Sequence, residues 1–257
     1  MRNDGAFRTV DRMKNSNARL ARPNASASWA WAFSALYDPF LWLGERTGVG
    51  ATRKQVLGHA RGRTVEIGPG TGLNLRYYPD EVGELILAEP DASMRSRLER
   101  RAQCRHRTTR MVDAPSERLP FADGSVDTVV STFVLCTVDA PDLALREIGR
   151  ILRPDGQLLF IEHVRSDSPT LAAWQDRLAR PWRRFARGCR CNRATDMLIV
   201  ASGLELHEVR ATTWHGMPPI VRPLIAGRAH PEKRLVDGQR PRRPISCRAP
   251  TRRSTPR

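Results

Sequence analysis

The nine residues Thr64-Val65-Glu66-Ile67-Gly68-Pro69-Gly70-Thr71-Gly72 constrain the fold more than any other part of the chain. A β-branched run ends in an acid, three glycines follow at alternate positions, and Leu73–Tyr78 then reads as the opening of a helix. Strand, tight turn and helix start in that order describe the ligand-facing corner of an open parallel sheet. Glycine lets the backbone turn there and lets a ligand lie directly against it. A helix N-terminus adds N–H groups without intrahelical partners. The spacing is G-x-G-x-G rather than the G-x-G-x-x-G of a dinucleotide fingerprint, which disfavours a dehydrogenase. Glu66, two residues before the first glycine, would repel a pyrophosphate and suits a cationic ligand with an amino-acid end.

The rest of the chain alternates strands and helices. Residues 63–67, Glu84–Ala88, Arg110–Val112, Val126–Thr132 and Gln157–Glu162 read as strands. Residues 51–60, Met94–Arg101 and the amphipathic Pro141–Leu152 read as helices, with Pro154-Asp155-Gly156 as a turn. Leu204–Arg210 and Ile220–Ala226 follow one another without a long helix, as an antiparallel edge pair would. The expected fold is α/β: a Rossmann-like, mostly parallel, seven-stranded sheet with helices on both faces and an antiparallel C-terminal edge pair.

A net charge of +16 over 257 residues suggests a nucleic-acid binder until its distribution is considered. Residues 1–27 carry +4 and residues 228–257 carry +8, leaving +4 for everything between. Both extensions are polar, and residues 231–257 are rich in Pro and Arg. Such segments bury too little apolar surface to offset the entropy of ordering, so 1–27 and 231–257 are expected to be disordered. The organised unit is then 28–230: a helical cap over 28–60, a ligand-binding core over 61–165, and a cap helix with sheet-closing strands over 166–230. A noncatalytic protein using its basic tails on nucleic acid is the alternative of a different class. The five cysteines suit a reducing cytoplasm, and no C-x-x-C pair or Cys/His run has zinc spacing, so no metal is expected. Trp29–Leu43 is apolar but is interrupted by Asp38 and Pro39, and it is too short to span a bilayer.

Glu89, seventeen residues after Gly72, ends the second strand and would face the same crevice as the glycine turn. A carboxylate there can accept hydrogen bonds from both hydroxyls of a ribose. Then come Glu117-Arg118-Leu119-Pro120-Phe121, Asp127 and Leu152-Arg153-Pro154-Asp155-Gly156. With Glu66-x-Gly68-x-Gly70-x-Gly72 and Glu89, this succession over about 60–165 resembles class I S-adenosyl-L-methionine-dependent methyltransferases, in the group that includes ubiquinone/menaquinone C-methyltransferases. A narrower resemblance, over about 36–230, is to small alkyl-thiol S-methyltransferases. It rests on Tyr37-Asp38, Phe133-Val134-Leu135-Cys136, Ile161-Glu162-His163-Val164, Gly188-Cys189 with Arg193, and Val221-Arg222-Pro223 with Gly227. The mammalian members of that branch carry an N-terminal hydrophobic anchor, and membrane residence is not carried over to this sequence.

The resemblance implies that Glu66, Gly68, Gly70 and Gly72 hold the methionine part of the cofactor and Glu89 its ribose. For the adenine, Pro115-Ser116 separates Asp113-Ala114 from Glu117, where many relatives run Asp-Ala-Glu. Asp113 or the Ser116-Glu117 backbone would meet that ring. The acceptor is expected to be small and apolar, a thiol for preference and a quinone- or phenol-like carbon or oxygen otherwise. Glu162 and His163, ending the fifth strand, are the acid/base candidates, or else polar groups satisfying loop backbone. Cys136 either contacts substrate or is an inert buried thiol. Leu171, Trp174, Leu178, Trp182 and Phe185 recur at helical spacing among arginines. They form either an ordinary packed helix or an apolar lid that also touches a membrane surface. Trp29, Trp31, Phe33 and Trp42 would supply the opposite wall.

Overall fold

A computed structural model describes residues 35–39, 41–42, 44–104 and 109–232. The N-terminal extension, Trp29, Trp31, Phe33 and nearly all of the 231–257 tail lie outside the described residues. Seven strands, β1 (Gly62–Ile67), β2 (Val82–Ala88), β3 (Thr109–Val112), β4 (Val126–Thr132), β5 (Leu152–His163), β6 (Leu204–Thr213) and β7 (Pro223–Pro231), form one sheet in the order β3-β2-β1-β4-β5-β7-β6. The first five are parallel, and β7 runs antiparallel to both β5 and β6. The helices are α1 (Gly50–Leu57), α2 (Ala92–Gln103), α3 (Pro141–Ile151), α4 (Pro169–Phe185) and α5 (Thr195–Ala201).

Successive residues of the central strands alternate between two hydrophobic cores. Leu87, Val130, Leu159 and Ile161 face one core with Leu57 of α1 and Leu98 of α2. Val65, Ile86, Val129, Leu158 and Phe160 face the other with Leu145 and Ile148 of α3 and Ile199 of α5. Burial on both faces explains why these strands read as near-continuous apolar runs. From β1 the chain builds outward through β2 and β3; from β4 it builds the other way through β5. The loops leaving the carboxyl ends of β1 and β4 therefore diverge, and this divergence opens a crevice at the topological switch point.

The structure departs from the sequence expectations in two places. Leu73–Arg76 is a four-residue 3₁₀ turn rather than a helix, because Pro79 cannot continue the hydrogen-bond ladder and disfavours helical backbone at Tyr78. Strand β5 begins at Leu152, and the Pro154-Asp155-Gly156 turn is an excursion within it: Val126 pairs with Leu152 and Thr128 with Gln157. The expected antiparallel C-terminal pair is present, with β6 outermost and β7 between it and β5. Among the described residues no helix is long and apolar enough to cross a membrane.

Candidate active site

The glycine corner lies at the carboxyl end of β1. Gly68, Gly70 and Gly72 all adopt positive φ (52°, 58° and 86°), which is strained for residues with a Cβ. A Cβ on Gly68 would meet Val134 Cγ2 at 2.7 Å, whereas one on Gly70 would meet nothing within 4 Å. Gly70 therefore faces open space, in a cleft lined by Tyr37, Arg53, Glu66, Gly68, Thr71 and Thr132 among others. Glu89, at the end of β2, closes the corner: its Oε2 accepts from the Gly70 N–H (2.8 Å) and its Oε1 from the Asp91 N–H (2.9 Å). Burial pushes the Glu89 carboxyl up to about 7, against the opposing pull of the Asp91 and Gly70 N–H groups. The backbone open on the Cβ side of Gly70 fits the amino-acid part of S-adenosylmethionine, whereas the Glu89 carboxyl behind it is buried and does not itself line the cleft.

Glu66 lines the cleft but is already engaged. Its Oε1 accepts from Asn74 Nδ2 (2.7 Å) and its Oε2 from the Tyr78 hydroxyl (2.7 Å). Burial raises its pKa, opposed by those two bonds and by the charge of Arg53. Arg53, from α1, donates to Asn74 Oδ1 (2.6 Å) and pairs with Glu45 (2.9 Å) in the interior. Asp38 binds the N-terminal cap to the corner by accepting from the Thr71 hydroxyl (2.6 Å) and from Arg101 (2.5 Å). The sequence reading missed Asn74, Arg53 and Tyr78; a polar Asn inside Gly72-Leu73-Asn74-Leu75 was the available signal.

The predicted adenine loop follows β3 and does not line this cleft. Asp113 is exposed and pairs with Arg95 of α2 (3.1 Å), while the buried Ser116 donates to Glu117 Oε2 (3.0 Å). The loop is anchored from behind by α3. Glu147 accepts from the Leu119 N–H (2.8 Å), and Arg150 donates to the carbonyls of Leu119 (3.0 Å) and Phe121 (2.8 Å).

The wall opposite the glycine corner begins at Thr132, the last residue of β4 and a lining residue of the cleft, and continues into the buried ends of β4 and β5. Glu162 is fully buried and accepts four hydrogen bonds: from the Ser131 hydroxyl (2.7 Å) and the N–H groups of Val134 (3.0 Å), Leu135 (3.1 Å) and Cys136 (3.1 Å). Both of its oxygens are engaged in shaping the loop after β4, so an acid/base role gives way to a positioning one. That loop starts with Phe133 in the left-handed conformation (φ 60°), a costly backbone for this residue type. The Phe133 ring lies between the guanidinium of Arg53 (5.4 Å) and the rings of Trp214 (stacked, 4.5 Å) and His163 (4.9 Å). His163 is buried; its Nδ1 lies 3.3 Å from Cys136 Sγ and 3.6 Å from Cys189 Sγ, and its Nε2 has no partner among the described residues. Burial pushes the Cys136 thiol well above its ordinary pKa.

Helix α4 divides the predicted stripe in two. Leu171, Leu178 and Trp182 pack against the core that includes Cys136, Cys189 and Trp214, while Trp174 and Phe185 are about half exposed. The buried side is the run Leu171, Gln175, Leu178, Trp182. Gln175 is fully buried, donating to the carbonyls of Cys191 (2.9 Å), Ile220 (3.0 Å) and Val164 (3.2 Å) and accepting from the Ser166 N–H (2.9 Å). It locks α4 to β5 and to the turn before β7. Trp42, expected to supply the opposite wall, is exposed beneath Arg46 and does not line the cleft.

Comparison with known proteins identifies the family. A family model described as a methyltransferase domain matches residues 65–160. The human thiol S-methyltransferase TMT1A is 35% identical over 173 residues, spanning 64% of this chain and 69% of the relative. Human TMT1B is 38% identical over 135 residues, spanning 51% of this chain, which thus covers 55% of that relative's length. An S-adenosylmethionine-dependent methyltransferase from Thermotoga maritima, 22% identical, has the same fold with a TM-score of 0.56, over 78% of this chain and 99% of that one.

Proposed function

The chain belongs to the class I S-adenosylmethionine-dependent methyltransferases, and from that premise we propose that it methylates the sulfur of a small, apolar thiol. The observation that carries the cofactor reading is the Gly70 cradle, open to the cleft on its Cβ side and bridged by the Glu89 carboxylate. The thiol reading is supported by the likeness to TMT1A and TMT1B and by the apolar cluster of Phe133, Trp214 and Trp182, which begins next to the cleft-lining Thr132.

Bound S-adenosylmethionine would supply an electrophilic methyl group, transferred as a new sulfur–carbon bond forms and the sulfonium C–S pair returns to the cofactor. This chain's residues position the reactants. Gly68 and Gly70 offer backbone to the amino-acid end, and Glu89 would accept from the ribose hydroxyls. Glu66, Asn74 and Arg53 form the polar floor beneath the amino-acid end. Asp113 and the Ser116-Glu117 backbone remain the residues proposed for the adenine edge. Glu162 keeps the loop after β4 in place, and His163 is the remaining candidate for contact with the acceptor. A thiol has an ordinary pKa near 8.5, so proximity and exclusion of water contribute much of what its methylation requires.

The test pairs calorimetry with S-adenosylhomocysteine and a methyl-donor assay across alkyl thiols, phenols and quinones. Micromolar-range binding with turnover of alkyl thiols alone is the expected result. Turnover of phenols or quinones in preference to thiols would replace the acceptor assignment, and failure of the folded protein to bind S-adenosylhomocysteine would remove the cofactor assignment.

A further inference from the structure

Linear spacing offers no zinc motif, yet the fold gathers one. Cys136 comes from the loop after β4, His163 from the last position of β5, and Cys189 from the turn after α4. Their Sγ, Nδ1 and Sγ atoms lie within 4.8 Å of one another, and all three residues are buried. Ordinary Zn–N and Zn–S bonds of about 2.0 and 2.3 Å, in tetrahedral array, place nitrogen and sulfur about 3.5 Å apart. Here Nδ1 is 3.3 Å from one sulfur and 3.6 Å from the other.

The three ligand backbones are also held in place. The Cys136 N–H donates to Glu162 Oε2 (3.1 Å), the Cys136 carbonyl accepts from the Arg190 N–H (2.8 Å), and the Cys189 N–H donates to the Ala186 carbonyl (3.2 Å). The His163 carbonyl accepts from the Thr195 hydroxyl (2.9 Å). These bonds fix the backbone of each ligand, while His163 Nε2, the ring nitrogen that does not face the two sulfurs, is buried without a partner among the described residues. A divalent cation with two thiolates and a neutral imidazole has no net charge, which suits a dry apolar environment. Among the described residues no fourth donor joins the three within that distance; Cys191, though buried, is not one of the group. Three protein ligands and one open position is the pattern of catalytic rather than structural zinc.

We propose that Cys136, His163 and Cys189 form a Cys₂His site for zinc whose fourth position takes the sulfur of the acceptor. The site itself rests on this geometry; the identity of the fourth ligand rests on the thiol reading above. The ring of Phe133 contacts both His163 (4.9 Å) and the cleft-lining Arg53 (5.4 Å). Binding releases one proton each from Cys136, Cys189 and the acceptor thiol to solvent, and a zinc-bound thiol is deprotonated outright. The cation thus presents the acceptor as thiolate, and the neutral thioether product is a weak ligand that can leave.

The test uses the full reduced chain, stripped with a chelator and titrated with Co²⁺ alone. One equivalent should produce near-ultraviolet thiolate-to-cobalt charge-transfer bands and the intense visible bands of tetrahedral cobalt, both lost on adding Zn²⁺. Cys136→Ser and Cys189→Ser should each weaken uptake at least 100-fold while keeping the far-ultraviolet circular dichroism of the parent. Cys191→Ala should leave uptake unchanged. Adding an alkyl thiol to the cobalt protein should intensify the charge-transfer bands, and adding a phenol should not. No stoichiometric uptake by folded protein, uptake unaffected by the serine variants, or oxidation to a Cys136–Cys189 disulfide in place of uptake would overturn the site. Loss of binding in Cys191→Ala, or no response to the thiol, would overturn its open position. Calorimetry with S-adenosylhomocysteine on the same sample keeps the two readings separable, since metal uptake without cofactor binding would defeat the methyltransferase reading and leave the site standing.

Discussion

The wall of the cleft carried by β1 and β2 is joined across short stretches of sequence: Glu89 reaches Gly70, nineteen residues away, and Asn74 reaches Glu66, eight away. The wall carried by β4 and β5 is joined across long ones. Glu162 holds residues 26 to 31 positions before it, and Gln175 reaches a carbonyl 45 residues on. Arg193 donates to the carbonyls of Leu135 and Val138 from the far side of α4, and Arg187 reaches Asp91, 96 residues back. The first wall is mostly backbone and glycine, a form suited to a ligand of constant shape. The second is assembled by side chains on separate elements, so on the proposed reading its side chains can change without disturbing the glycine corner.

The largest effect should come from breaking the second wall at its centre. Glu162→Gln places an amide N–H₂ among groups that all donate, and should lower the unfolding free energy by about 4 kcal/mol, read by urea denaturation. A loss under about 1 kcal/mol would show that the loop after β4 is held by other means. On the first wall, Gly70→Arg should weaken S-adenosylhomocysteine at least about 100-fold by calorimetry, with only about 1–2 kcal/mol of stability lost to the positive φ. Undiminished binding would sink the cradle. Gln175→Leu leaves three carbonyls and an N–H without their partner, so about 2 kcal/mol of stability should go while cofactor affinity is retained. If affinity falls as well, the two walls are not separable.

Glu89→Gln sharpens the comparison through pH. The folded pKa of Glu89, about 7, lies above its ordinary 4.5, so the protonated form favours the fold. Its stabilising contribution is complete below about pH 4.5 and is lost as pH rises through 7. Cofactor affinity should move the other way, strengthening as the carboxylate ionises to accept the ribose hydroxyls. Glu89→Gln should reduce affinity about tenfold at pH 8 and abolish the difference between pH 6 and pH 8. The smallest effect belongs to Trp174→Ala: half exposed on the outer side of α4, it should change stability by less than about 0.5 kcal/mol. A larger change would place that side chain in a contact beyond this chain's described residues.

How far the molecule was legible follows the same division. The sheet, its strand assignments and its antiparallel end were readable because strands buried on both faces carry uninterrupted apolar runs, and that signal is local. The error at Leu73–Tyr78 arose because apolar residues after a glycine turn resemble a helix, while Pro79 ends the run after one turn. In the stripe of α4, Gln175 occupies a core position that apolar periodicity passes over, Trp174 points away from the buried side, and Phe185, half exposed, meets the stripe through the Trp182 ring at 5.5 Å. Glu162 was visible as a strand-end carboxylate, but the four donors that engage it belong to residues 131–136 and no spacing announces them.

By itself the sequence determined the α/β sheet, the glycine corner and the acid at the end of β2, because each depends on residues adjacent in the chain or on a two-residue period. Only the tertiary structure decided what stands opposite that corner. Insertion of β7 beside β5, the docking of α4 through Gln175 and the left-handed turn at Phe133 bring Cys136, His163 and Cys189 together. Each of those contacts closes a loop of tens of residues, and loop closure is set by how whole elements pack, which no local pattern of residues encodes.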